Sequence, residues 1–328
     1  MKFTKMHGAG NDYVYINCFQ EQIEHPEELA RAVSNRHFGI GSDGLVLIGP
    51  SKVADFEMKM YNADGSPSEM CGNAIRCVGK YVYDYGLTQK TNITVETLAG
   101  IKKLDLILEG EKVVLVKVDM GAPILKASQI PMKVDKEQVI ESALKCAHAG
   151  HTAMLHEPAS NSECLGRFLD NPVKVEEEPV IDYPIQVNGN TFFLTGVSMG
   201  NPHAVLFVDD VDAFPIEEVG PHIEGHALFP NRVNTEFVKV INRNCVQMRV
   251  WERGSGETFA CGTGACAAVV ACVLKGLTDE EVTVKLLGGE LQIHWDRNKG
   301  TVYMTGPAEV IYDGVYRLQN NNNKKEKE

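Results

Sequence analysis

The sequence predicts an α+β fold of two pseudo-symmetric domains, each a curved, mostly antiparallel sheet wrapped round a central helix. Three observations predict it. The 328 residues are too many for one ordinary core. The chain repeats itself at an offset of 190 (261 − 71), and strand-like segments outnumber helical ones in both copies.

The repeat comes first. Gly10-Asn11 matches Gly200-Asn201, Cys71-Gly72 matches Cys261-Gly262, and Gly86-Leu87-Thr88 matches Gly276-Leu277-Thr278. With one residue of slippage, Ile93-Thr94-Val95 through Gly100 matches Val282-Thr283-Val284 through Gly289. Four matches in one order argue for two similarly folded halves. Tyr13-Val14-Tyr15-Ile16 and Ala204-Val205-Leu206-Phe207-Val208 read as opening strands. β-branched alternation predicts strands over 93–98, 101–108 and 112–119, and again over 282–287, 290–295 and 301–305. Between them, each Cys-Gly pair opens a helix closed by a glycine at C′. Ile75, Val78 and Val82 share a face of the first; the second, Ala265 to Leu274, is apolar all round, as a helix enclosed by sheet should be. Residues about 133–182 have no counterpart in the first half and read as an insertion with one helix near 136–147. The tail 319–328 is rich in Asn and charge and is expected to be disordered.

Composition narrows the function. The formal net charge is −12, and no basic stripe suggests nucleic acid. No apolar run reaches the roughly 20 residues of a membrane span, and the N-terminus lacks a signal-peptide core. The nine cysteines are odd in number and irregularly spaced, which argues against a disulfide framework and for a reducing, cytoplasmic setting. Cys146, His148, His151, His156 and Cys164 fit no standard zinc spacing. Gly39 through Gly44 has the wrong glycine spacing for a nucleotide loop.

Cys71 and Cys261 differ from the rest because each sits at a helix start. The first helical N–H groups have no partner within the helix and the dipole is positive there, so a thiol at that point is expected to be acidified. The glycine that follows lets a ligand approach the backbone. Asn73 and Thr263, next in line, keep the amides open. Inverting a stereocentre needs a base on one face and an acid on the other, and one thiolate with one thiol supplies that pair. A carboxylate held by the helix amides would take up the developing charge. Cys77, Cys266 and Cys272 read as packing.

The sequence resembles the diaminopimelate epimerase family from Met1 to about Leu318. The resemblance rests on Lys5-Met6-His7-Gly8-Ala9-Gly10-Asn11-Asp12, Asn62-Ala63-Asp64-Gly65-Ser66, Met70-Cys71-Gly72-Asn73, Met199-Gly200-Asn201-Pro202-His203 and Arg232-Val233-Asn234. The most specific stretch is Trp251 through Thr258, followed by Ala260-Cys261-Gly262-Thr263-Gly264-Ala265-Cys266. The resemblance implies interconversion of LL- and meso-diaminopimelate without pyridoxal phosphate or metal, on the way to lysine and peptidoglycan. It implies two pseudo-symmetric domains with the site in the cleft between them: 1–120, to which a strand at about 307–318 returns, and 121–306. It implies Cys71 and Cys261 as catalytic residues, assisted by His203 and Glu252. Gly72, Asn73, Gly262 and Thr263 would hold the reacting carboxylate; Asn11, Asn62, Asn201, Asn234, Glu252 and Arg253 would hold the distal head group. Arg253 offers a planar fork for a carboxylate and Glu252 a partner for an ammonium. Many family members carry glutamine where this chain has Gly44, so that contact is expected to be missing here.

Two other readings compete. One is a racemase of the same fold acting on another amino acid, such as histidine or lanthionine; the other is a thiol-redox or binding protein. Against the second, the two cysteines are 190 residues apart and not in a Cys-x-x-Cys motif. The partner in all the enzymatic readings is a small molecule. A homodimer is compatible with the sequence, which does not set the oligomeric state.

Overall fold

The computed structural model describes residues 1–135 and 179–317. The helix expected near 136–147, the five His and Cys residues between 146 and 164, and the tail lie outside the described residues. The chain divides into two compact units, Met1–Val116 together with the segment from Pro307 onward, and Lys117–Gly306.

In the first unit, β1 (Lys2–Gly8) and β2 (Asn11–Asn17) form an antiparallel hairpin. Ala9 and Gly10 turn it with positive φ values of 53° and 82°. β2 then pairs in parallel with β3 (Gly44–Gly49), and a parallel joint needs a crossover. Helix α1 (Pro26–Ser34) supplies it, started by Pro26 at its first position with Glu27 and Glu28 in the first turn. β3 pairs antiparallel with β4 (Phe56–Asn62), which takes up the short β5 (Pro67–Ser68). A second crossover, α2 (Gly72–Asp84), leads to β6 (Asn92–Thr97), parallel to β4, and then to the antiparallel β7 (Gly100–Glu109). The chain passes into the second unit within β8 (Lys112–Gly121).

The second unit repeats every joint. β9 (Tyr183–Val187) flanks β10 (Asn190–Ser198), which pairs antiparallel with β11 (Pro202–Phe207). β11 is parallel to β12 (Asn234–Asn242) across α3 (Ile216–Glu224). β12 is antiparallel to β13 (Cys245–Glu252), which takes up β14 (Gly256–Thr258). Helix α4 (Gly262–Leu274) crosses to β15 (Glu281–Leu286), parallel to β13, followed by the antiparallel β16 (Gly289–Asp296) and β17 (Thr301–Pro307). The last strand, β18 (Glu309–Val315), returns to the first unit and pairs with β1, as β9 pairs with β10.

Strand alternation divides each sheet between two helices. On β2, Val14 and Ile16 join Leu29, Ala30 and Val33 of α1 in one core. Tyr13 and Tyr15 alternate with them; the Tyr15 hydroxyl donates to the Ala74 carbonyl of α2. Helix α2 presses close enough to the sheet that a Cβ on Gly79 would stand 2.9 Å from a Leu106 methyl. Helix α4 is buried on all sides, as its uniform apolarity requires.

Candidate active site

In each unit a cysteine is the N-cap of the second crossover helix: Cys71 of α2 and Cys261 of α4, both in extended conformation. The Cys261 sulfur accepts from the Gly264 amide at 3.4 Å, as a capping side chain should. The residues around each cysteine correspond at the same offset of 190, and they line up across three adjacent strands. Tyr13 of β2 lies beside Gly44 of β3, which lies beside Asn62 of β4. In the other unit His203 of β11 lies beside Asn234 of β12. The pairing of Thr235 with Trp251 brings Asn234 level with Glu252.

Around Cys71, the thiol donates to Asn11 Oδ1 at 3.3 Å, and Asn73 Nδ2 reaches the same oxygen at 3.4 Å. Asn11 is oriented from behind: its Nδ2 donates to Asp43 Oδ2 at 2.7 Å, and Arg36 holds the other Asp43 oxygen at 2.8 Å. Arg76, fully buried, ties the start of α2 together by donating to the Gly72 carbonyl and Asn73 Oδ1, and to the Pro307 carbonyl. Asn62 holds its own turn through Ser66. Gly44 does leave a side chain out, but the space is not empty: a Cβ there would stand 2.8 Å from the Tyr13 ring. Tyr13 is 5% exposed and lies close to both Asn11 and the Cys71 thiol.

Around Cys261 the network is denser and charged. The sulfur lies 3.5 Å from Thr263 Oγ1, and Thr263 Oγ1 accepts from Asn201 Nδ2 at 3.3 Å. That orientation turns Asn201 Oδ1 to His203 Nε2 at 3.0 Å, so Nε2 carries a proton. The other ring nitrogen is hydrogen-bonded to Glu236 Oε1 at 2.7 Å, and His203 and Glu236 are both wholly buried. Glu252 accepts from Thr258 at 2.5 Å and lies near the Cys261 thiol. Burial raises the Glu252 pKa above the ordinary carboxylate value.

The expectation that the helix N-terminus acidifies both thiols fails at Cys261. Burial first, then the Glu252 and Glu236 carboxylates, push that thiol well above its ordinary value; the Thr263 and Gly264 hydrogen bonds pull less strongly. The helix dipole is opposed there by two carboxylates, Glu252 and Glu236, that strands bring in from elsewhere in the chain.

Arg253 sits in a buttressed turn. Its backbone N–H donates to Asn234 Oδ1 at 2.9 Å, and its guanidinium donates to the Asn231 carbonyl at 3.0 Å. Asn234 is itself fixed on the Pro202 carbonyl. Glu224, from the end of α3, accepts from Trp251 Nε1 at 2.7 Å and from the Gly254 amide at 2.8 Å, and pairs with Arg232. The equivalent turn after β4 leans on α1 through Arg31, which donates to the Asp64 carbonyl. One unit thus gathers Asn201, His203, Asn234, Glu252, Arg253, Cys261, Gly262 and Thr263; the other gathers Asn11, Cys71, Gly72 and Asn73, with Asn62 two strands further along, on β4. Sequence reasoning missed Asp43, Glu224 and Glu236. Carrying the offset of 190 through every site residue would have found Tyr13, opposite His203. No such signal marks Glu236, whose counterpart is Val46.

The family model described as diaminopimelate epimerase matches residues 3–126 and 195–311. The chain belongs to the diaminopimelate epimerase family. It is 54% identical to the diaminopimelate epimerase of Acetivibrio thermocellus over 97% of this chain and 99% of that one. It is 52% identical to that of Methanococcus maripaludis, over 96% and 99%. The fold reaches beyond the family. A phenazine biosynthesis protein of the PhzF family from Bacillus anthracis superposes with a TM-score of 0.63 at 15% identity, over 97% of this chain and 99% of that one. A probable proline racemase from Agrobacterium radiobacter gives 0.64 at 13%, over 98% and 94%. The family's motifs fall on the two capped helices and on the strand row beside each. Among the described residues no group of His, Cys, Asp and Glu is arranged to hold a metal ion, and no helix is long and apolar enough to cross a membrane.

Proposed function

We propose that this protein interconverts LL- and meso-diaminopimelate with Cys71 and Cys261 as the acid–base pair. The observation that carries the assignment of residues is the N-cap cysteine repeated at the same place in both units. Relatives near half identity over nearly the whole chain bear the name diaminopimelate epimerase, which favours that substrate over histidine or lanthionine. It also disfavours a thiol switch.

The geometry around the cysteines supports a division of labour. Burial and two carboxylates keep Cys261 as the thiol, ready to donate a proton, with Glu252 and the His203–Glu236 pair next to it to accept or restore one. Cys71 is then the base. The α C–H bond breaks, its proton goes to the Cys71 sulfur, and the electron pair left on carbon takes the Cys261 proton from the opposite face. The reverse reaction exchanges the roles. The first-turn amides at Gly72-Asn73 and Gly262-Thr263 would hold the reacting carboxylate and take up the charge that delocalises into it. Glu252, Arg253 and the asparagines 11, 62, 201 and 234 would read the distal amino-acid head. None of the described cysteines is joined in a disulfide, which suits a reducing cytosol.

The test is solvent exchange. Incubated in D₂O with either isomer, the enzyme should place deuterium at the inverted α-carbon as the other isomer forms. Inversion with retention of the original proton, or no reaction on either isomer, overturns the proposal.

A further inference from the structure

Tyr13 occupies, on β2, the place that His203 occupies on β11: each is two residues after a site asparagine, each is buried, and each contacts that asparagine. The two residues are chemically unlike. His203 continues to a buried carboxylate, whereas the position of Glu236 is held by Val46 in the first unit. Tyr13 therefore has no carboxylate at the place equivalent to Glu236, and its hydroxyl lies instead near Asn11 and Cys71.

Gly44 makes this possible. An alanine methyl there would stand 2.1 Å from the Tyr61 carbonyl and 2.8 Å from the Tyr13 ring. The bare backbone of β3 is the floor on which the phenol lies. The missing side chain at 44 and the tyrosine at 13 are one feature.

We propose that Tyr13 is a positioning residue for the reaction, donating a hydrogen bond to the Cys71 sulfur and holding it as the thiolate that removes the α-proton. This rests on the two-thiol reading of the site. The division of donors is consistent with it: the Cys71 thiol gives its hydrogen to Asn11 Oδ1 when protonated, and the phenol gives its own to the sulfur when it is not. Burial, followed by the nearby Cys71 charge, pushes the phenol well above its ordinary pKa, so it remains a donor across the working range. The other ionisable groups that bear on this corner are Tyr15 from β2, Asp43 ahead of β3, and Arg76 and Cys77 from α2. Tyr15 and Cys77 are pushed up by burial and stay neutral beside a Cys71 thiolate. The two units then arm their cysteines in opposite senses, a neutral donor at Cys71 and carboxylates at Cys261.

The experiment is Tyr13→Phe, which removes the hydroxyl and leaves the ring on Gly44. Cys71 alkylation by iodoacetamide, located by peptide mapping and followed from pH 6 to 10, should shift its midpoint upward by about one unit. kcat should fall about tenfold with KM within about twofold of wild type, the loss of one hydrogen bond to a charged group. Coincident alkylation profiles and an unchanged kcat, in a variant of wild-type melting temperature, overturn the proposal. Cys71→Ala is assayed beside it. Turnover retained there sinks the two-thiol reading, whereas an inactive Cys71→Ala with an unaltered Tyr13→Phe sinks only the role of Tyr13.

Discussion

At the scale of single residues, the two cysteines are not equivalent, although the sequence presents them as a matched pair. Cys71→Ala and Cys261→Ala should each lower epimerisation by about 10²–10⁴-fold, the usual contribution of a general acid or general base. Measured turnover of LL-diaminopimelate by the purified variants checks it, and near-normal rates in either would remove that cysteine from the reaction. Buried acids also set the alkaline limit of the fold. Burial raises Cys77 to about 11 and Cys272 to about 12. Such a thiol keeps its proton in the native state after the unfolded chain has lost it. Its full contribution to stability is therefore present below pH 9 and declines as pH rises from 9 towards the folded value. For Cys77 the decline amounts to at most about 3 kcal/mol, at 1.36 kcal/mol per unit. Melting temperatures recorded from pH 8 to 11 should fall, and fall less steeply in Cys77→Ala; equal slopes would show that this thiol does not titrate with folding. Arg253, Asn234 and Asn201 could be proposed for the site from sequence because their motifs lie there as contiguous runs. Glu236 was not: it is one carboxylate in a strand, and only the parallel pairing of β12 with β11 puts it against His203.

At the scale of elements, the helix caps show how local preference yields to the site. Alanine is normally better than glycine inside a helix by roughly 0.5–1 kcal/mol. Gly264, in the first turn of α4, is an exception with a visible cause: a Cβ there would stand 2.6 Å from Glu236 Oε1 and 3.2 Å from the Cys261 sulfur. Gly264→Ala should leave the helix formed but displace Glu236, with kcat falling about 10²-fold. Circular dichroism beside steady-state kinetics separates the two effects, and an active, more stable variant would mean that the carboxylate has room to move. The strands over 93–119 and 282–305 were readable from alternation because each has one buried and one solvated face. Helices α1 and α3 were not read. Each is only nine residues long, and α3 carries Pro221 in its interior, which local preference alone would count against a helix. Glu224 at the end of α3 shows why it is there, since it holds the turn that carries Glu252 and Arg253.

At the scale of the whole molecule, the duplication was legible from four short matches, and the strand pairing carries it into every joint of the two units. The sequence alone did not show that each sheet owes its two parallel joints to a pair of crossover helices, because pairing partners far apart in the chain leave no local signature. One joint is made in a different order in the two units. β10 receives its flanking strand β9 from the segment just before it, whereas β1 receives β18 from the far end of the chain. Phe3 packs on Tyr312, Thr4 donates to Asp313, and Arg76 reaches the Pro307 carbonyl, so the cap of the helix that carries Cys71 is finished by residues some 230 positions later. On a ribosome the second unit can close as soon as it has been made. The first must wait with β1 unpaired on one side until β18 has been made, a state in which an open strand edge invites association with other chains. Released chains truncated after Gly306 should therefore show a protease-resistant second unit and a first unit that is still cleaved, and extending them through β18 should be the step that protects it.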